Sequence, residues 1–403
     1  MPRAENHPIT LPRSGGAVMP IGLLALAGFA SGSGMRVLDP LLPALAESLE
    51  VSVASSSAVI AAFMLPYGLG QIILGPLGDR FGKLRVVCIA LLIYGSFVLA
   101  CSGTESLTGL VVLRAASGLF AGAVIPLSLA YLGDEVPYQD RQATIGRFLT
   151  GMVMAQMLTG PASGFIGQHA GWRSSFLVLG VLALAVGATL AWRLGPRLWR
   201  RVGQAGGQMP GLGAYFALLS RPAGRWLLIC AFFDGLCLFG GAFPFVGAFL
   251  IEAFGLAAGT AGLVVAGFGL GAFLYTRLAR RLIRQFGEPR LVLGGGLGLA
   301  LCLTGLAASP AWQVAAAMQF TAGLLFYMFH GVLQARATEA MPEARGTAVS
   351  AFALALFLGQ TTGSLAFALM LAATGYRAGF AAAAAGVAVL SLYARAGLRQ
   401  RGP

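Results

Sequence analysis

Apolar residues along the chain fall into long runs, parted by short stretches that carry nearly all of the charge. A helix needs about 20 apolar residues to cross a hydrocarbon core roughly 30 Å thick. The pattern predicts twelve such spans, at 19–38, 53–77, 84–103, 106–131, 145–168, 174–193, 226–250, 259–280, 290–308, 312–335, 347–372 and 376–396. The expected class is therefore an all-α membrane protein with twelve transmembrane helices, its main partner the lipid bilayer.

Composition strengthens this picture. Of 403 residues, 57% are hydrophobic and only 10% charged, more apolar surface than a soluble fold of this size can bury. The 58 glycines would weaken soluble helices, but in a bilayer they let helix backbones approach closely. Cys88, Cys101, Cys230, Cys237 and Cys302 lie in or at the ends of apolar runs without metal-site or disulfide spacing, and are read as packing or lipid-facing residues. Residues 1–18 carry Arg3 and Arg13, but no small-residue cleavage site follows the first apolar run, which is read as an uncleaved span.

The net charge of +13 is a topology signal. All Lys and Arg except Arg36, Arg114, Arg173 and Arg377 fall in alternate gaps and in the two ends of the chain. The positive-inside rule then places both termini in the cytoplasm, and nucleic acid is not an expected partner. The expected segments are an N-terminal tail (1–18), a six-helix bundle (19–193), a cytoplasmic linker rich in Arg, Gly and Pro (194–225), a second bundle (226–396) and a tail (397–403). The two bundles repeat: "GWRSSF" at 171–176 answers "GYRAGF" at 375–380, and "FGKLRVV" at 81–87 answers "FGEPRLV" at 286–292. Parallel six-helix repeats suit a transporter with its substrate site between pseudo-symmetric halves.

The turn "GPLGDRFGKLR" at 75–85 holds more than topogenic charge. It resembles the loop motif of the major facilitator superfamily, G-x-L-x-D-R-x-G-R/K, and the resemblance extends over residues 19 to 396. Carried over, Gly75, Gly78, Asp79, Arg80, Gly82 and Lys83 form a gating loop whose contacts break and re-form as the transporter alternates. The second-half copy, "RLARRLIRQFGEPR", lacks the Asp. "RAASGLFAGA" at 114–123 resembles the family's fourth-helix motif, in which the Arg is linked to proton transfer. "GMVMAQMLTGPASG" at 151–164 resembles the fifth-helix motif of its drug:proton antiporters; Gly160, Pro161 and Gly164 match, while Gln156 and Phe165 depart from it. The fold this implies is the major facilitator fold, working as a single chain in a bacterial-type inner membrane.

An ionisable group within hydrocarbon costs at least about 2.5 kcal/mol on insertion scales, so each one is a candidate functional group. Arg114 lies roughly 12 Å into its span at 1.5 Å per residue, where a fixed cation favours proton release from a nearby carboxylate. The partner candidate is Asp39, although Arg36, one turn earlier, can pair with it instead. Asp234 is the one acid well inside the second half, and His330 lies in the same half of its own span. Asp39, Arg114, Asp234 and His330 are thus the proton-coupling candidates. Tyr67, Gln71, Gln156, Gln319, Tyr327 and Gln360 are candidate cavity lining, and Phe239 and Phe243 are assigned to packing.

These features predict a secondary transporter that exports small lipophilic or cationic compounds in exchange for protons, with small molecule and proton as partners. The alternative is a major facilitator transporter of a defined metabolite such as a sugar or amino acid; the chain's one Asn, Asn6, lies outside the spans and tilts the reading to lipophilic cargo. A membrane enzyme, receptor or channel finds no phosphate-cradling loop, metal-ligand cluster or nucleophile–base pair in the sequence. Neither a cofactor nor a metal is expected, the energy coming from the proton gradient.

Overall fold

The computed structural model describes residues 21–199 and 212–400. The predicted tail 1–18, positions 19–20 of the first span, 200–211 of the linker and 401–403 of the second tail lie outside the described residues. Among the described residues there is no strand. Twelve long helices run in order: α1 (Ile21–Arg36), α2 (Val53–Phe81), α3 (Lys83–Cys101), α4 (Leu107–Glu135), α5 (Tyr138–Ala170), α6 (Trp172–Leu194), α7 (Pro222–Phe254), α8 (Ala258–Phe286), α9 (Glu288–Ala307), α10 (Trp312–Ala337), α11 (Arg345–Thr374) and α12 (Tyr376–Gln400).

Ten of these are long and apolar enough to cross a membrane by length and composition; α1 and α5 are not among them. For α1 the described helix is only 16 residues long. For α5 the reason is chemical, since Gln156, Thr159, Gly160, Pro161, Ser163 and Gly164 interrupt its apolar face where it meets α8. Several helices also outrun the predicted spans: α5 begins at Tyr138 rather than 145, and α8 ends at Phe286 rather than 280. Arg, Gln and Leu are good helix formers, so the helix continues where the apolar run stops.

The internal repeat recurs in the turns. Gly82 and Gly287 join α2 to α3 and α8 to α9, and Gly171 and Gly375 join α5 to α6 and α11 to α12, each at positive φ, a region open to glycine without steric cost. Arg173 donates to the Thr104 carbonyl at 2.9 Å just beyond α3, and Arg377 donates to the Ala307 carbonyl at 2.9 Å at the end of α9. Each caps carbonyls that the helix itself leaves unpaired.

The halves meet along two seams, α5 on α8 and α2 on α11. At the first, a Cβ on Gly164 would lie 2.3 Å from the Ala258 carbonyl oxygen and one on Gly262 would lie 2.5 Å from that of Gly160. At the second, Tyr67 packs on Phe357 with ring centroids 4.9 Å apart. These contacts lie in the middle of the helices and on the side away from the basic loops. Toward the basic loops Gly75, Gly133, Gly146 and Gly346 face open space. Among the described residues the contacts between the halves gather in the middle of the helices and away from the basic loops.

Candidate functional site

Helix α1 ends at Arg36, and the chain turns through Asp39 and Pro40 before the short helix Leu42–Ser48. Arg36 and Asp39 are both buried, 5% and 1% exposed. Their ion pair is loose, Nη1 to Oδ2 at 3.5 Å, and neither Nη1 nor either Asp39 oxygen has a hydrogen-bond partner. Arg36 Nε donates to Gln156 Oε1 of α5 at 2.7 Å. The guanidinium lies over Phe243 at 4.2 Å and Phe239 at 5.0 Å, both from the other half. A desolvated cation on an aromatic face is stabilised by the ring quadrupole. Behind these rings stand Phe268, 4.6 Å from Phe243, and Phe326, 4.7 Å from Phe239. The backbone of Gly247 packs against that of Asp39.

The local cause of this wall is α7. From Gly235 to Ala242 it widens into a π-helix, followed by a 3₁₀ turn at Phe243–Phe245. Pro244 has no N–H to continue the α ladder. Gly235 and Gly240 let α7 sit directly on the Leu356 and Gln360 carbonyls of α11, while Gly359 and Gly363 return the contact. The altered turn carries both Phe239 and Phe243 to Arg36 and leaves Asp234, at its start, against α10. The sequence assigns the two Phe residues to packing; in the structure both face a buried cation.

Arg114 makes no ion pair with Asp39. It is 1% exposed, donates from Nη2 to the Gly34 carbonyl at 2.8 Å and from Nε to that of Val59 at 3.5 Å, and lies over Phe63 at 4.0 Å. It therefore fastens the last turn of α1, and through it the position of Arg36. Asp234 and His330 do meet, Nδ1 to Oδ2 at 2.5 Å, 2% and 9% exposed by side chain.

Of the lining candidates, Gln156 holds Arg36, Tyr67 lies 3.4 Å by its hydroxyl from Ser31 Oγ, and Tyr327 stacks on Tyr275 at 6.3 Å. Gln319 and Gln360 are buried and Gln71 is half-buried. Along the fifth-helix motif, Gly160, Pro161 and Gly164 form the α5 side of the seam with α8.

In the loop at 75–85, Gly78 packs on Leu127 and Gly82 makes the positive-φ turn. Lys83 pairs with Asp79 at 3.3 Å and with Asp134 at the end of α4, while Arg80 lies over Phe81 at 5.3 Å. The second half carries the same fastening with its charges exchanged: Glu288, the counterpart of Lys83, pairs with Arg336 at the end of α10, which also reaches Glu339. Exposed ion pairs are worth up to about 1 kcal/mol. Lys83→Glu alone sets a third carboxylate beside Asp79 and Asp134 and is expected to cost about that much. Adding Asp134→Arg copies the second half's arrangement and is expected to recover most of the loss in a thermal-unfolding measurement.

The family model described as Major Facilitator Superfamily matches residues 24–249 and 227–403. The MFS-type transporter YceJ of Bacillus subtilis is 27% identical over 340 residues, 83% of this chain and 85% of its own. A gallate transporter of Pseudomonas putida is 31% identical over 163 residues, 40% of this chain and 36% of its own. Among solved structures, the bacterial homologue of the human lysosomal transporter Spinster, in its inward-facing and unoccupied conformation, superposes with a TM-score of 0.78 at 17% identity, over 94% of this chain and 96% of that one. With two helical halves meeting around a buried Arg, the chain belongs to the Major Facilitator Superfamily and is a multi-pass membrane transporter.

Proposed function

We propose that the chain couples proton movement to transport of a small aromatic organic anion, by alternating access of its two halves. The observation that carries this reading is Arg36, a buried cation between the halves, with aromatic rings on its face and no hydrogen bond on Nη1. A carboxylate in that space would give Nη1 a charge-assisted bond while its ring packs against Phe239, Phe243 and Phe268. Displaced from Arg36, Asp39 would be buried without a counter-charge and would take up a proton, which ties cargo to proton. Gallate, an aromatic carboxylate, is the named cargo of one relative. Asp39, Arg114, Asp234 and His330 supply the ionisable interior, and no cofactor is needed when a proton gradient supplies the energy. The excess of Lys and Arg in alternate loops supports a reading with both termini in the cytoplasm of a cell with a bacterial-type inner membrane, and in this proposal one chain is the working unit.

The second reading is export of lipophilic cations in exchange for protons, favoured by the Gly160-Pro161 and Gly164 seam and by two interior carboxylates. One assay separates the two. Vesicles holding the purified chain are given a pH gradient and either labelled gallate or tetraphenylphosphonium. Gallate is expected to accumulate with protons, and Arg36→Gln to lower its uptake at least about tenfold, the value of one lost charge-assisted hydrogen bond. Movement of tetraphenylphosphonium against protons, with no gallate uptake, transfers the assignment to the export reading.

A further inference from the structure

We infer that His330 is the group that loads and releases the coupling proton, at Nε2, with Asp234 as its fixed counter-ion; this rests on the proton-coupled reading above. The carboxylate of Asp234 accepts from Nδ1 at 2.5 Å, so Nδ1 carries the ring's standing proton and a neutral His330 keeps its lone pair on Nε2. The two partners are not equally placed. Asp234 is 2% exposed by side chain and His330 9%, so the imidazole is the less buried member of the pair. His330 also lies beyond Phe326 along α10, toward the end that carries the basic loops, whereas Asp39, 1% exposed, sits where its main chain packs on the backbone of Gly247.

His330 stacks on Phe326 at 4.7 Å and 19°, with Phe352 of α11 at 5.9 Å and Phe239 of α7 at 6.3 Å. The other titratable or charged groups around the pair are Cys230 and Cys237 on α7, the latter covered by Gly386 of α12, Tyr327 on α10, and Arg36 across Phe239.

Proton balance is simple. With Nε2 bare, the pair carries one net negative charge; one proton from water onto the Nε2 lone pair makes it neutral, and release returns the electron pair to Nε2. Phe239 is shared by His330 and Arg36, so the change occurs one ring away from the cargo cation. The negative pair holds part of the field of Arg36, and the neutral pair leaves it for an incoming anion. Proton and anion then favour each other's binding, and by linkage the effect is reciprocal.

Two measurements on the full purified chain test this. The first needs no cargo: nitrogen-15 spectra of the histidines, of which the chain has three, recorded as pH is stepped over the range in which the protein stays folded. One histidine is expected to keep Nδ1 protonated while Nε2 alone gains and loses its proton; that signal is absent in His330→Gln and loses its fixed tautomer in Asp234→Asn. An Nε2 that never changes overturns the inference and leaves the transporter reading untouched. The second uses labelled gallate in vesicles. His330→Gln is expected to lose pH-driven accumulation at least about tenfold while still exchanging gallate measurably without a gradient, and His169→Gln, at the exposed end of α5, is expected to match wild type. Full accumulation by His330→Gln places the coupling proton elsewhere and overturns the inference alone. Gallate movement by wild type that ignores the pH gradient overturns the proton-coupled reading as well.

Discussion

Replacing Gly164 with leucine is expected to abolish net transport while the chain still folds, because it removes one of the two states between which the halves alternate. A Cβ there would lie 2.3 Å from the Ala258 carbonyl oxygen and 2.8 Å from its carbon, and the opposing Gly262 meets the Gly160 carbonyl just as closely. Backbone on both sides cannot move aside as a flexible side chain would. Overpacking of this kind costs about 1–3 kcal/mol, and the whole cost falls on the state in which α5 and α8 are pressed together. A penalty of that size shifts a two-state population by roughly fivefold to more than a hundredfold. The readout is a pulsed-EPR distance between spin labels on the exposed residues Ala170 and Ala257, at the ends of α5 and α8 that the seam holds together. The mean distance should lengthen in Gly164→Leu and stay as in wild type in Gly146→Leu, whose Cβ meets nothing within 4 Å. A short distance together with normal transport in Gly164→Leu would show that the seam does not have to part.

The features legible in the sequence are those set by local chemistry. Apolar run length locates the twelve long helices, with ends that differ by up to seven residues, since the bilayer sets the length of the apolar stretch and not that of the helix. The Arg36–Asp39 pair is one turn apart and can be read directly. The helix ends cannot: hydropathy reports where hydrocarbon stops, and α5 runs on through "YQDRQAT" because nothing there breaks a helix. The contacts that join the halves are also hidden. Arg36 and Phe243 are far apart in the chain, and their meeting depends on the π-helical turn of α7 and on how the halves pack. Only the dense "GLCLFGGAFPF" run, with its glycines and Pro244, marks α7 as irregular. The charge-exchanged fastening of the second half was hidden for a different reason. A motif looks for an acid at one position, whereas the structure needs opposite charges at two, and Glu288 with Arg336 supplies them in the reverse order.

Arg114→Met is expected to lower transport by at least about a hundredfold, equivalent to some 2.7 kcal/mol, without any contact between residue 114 and cargo. Helix α1 stops at Arg36, so the carbonyls of its last turn lack partners within the helix, and a cation at that end meets the negative pole of the helix dipole. Arg114 supplies both terms by donating to Gly34, and its bond to the Val59 carbonyl ties the same turn to α2. Gly118 and Gly122 bring α4 against the Phe63 and Tyr67 carbonyls, which fixes the distance over which Arg114 reaches. Hydrogen bonds from a charged group are worth about 1.5–3 kcal/mol each, so stability should fall by about 3 kcal/mol and Arg36 should leave its place on Phe243. Lysine at this position is a point charge that cannot span both carbonyls, and Arg114→Lys is expected to fall between wild type and Arg114→Met. The decisive comparison is a double-mutant cycle with Arg36→Gln. If Arg114 acts by positioning Arg36, the losses overlap and the double variant transports little worse than the more impaired single one. Losses that multiply in full would mean that Arg114 acts on transport independently of Arg36.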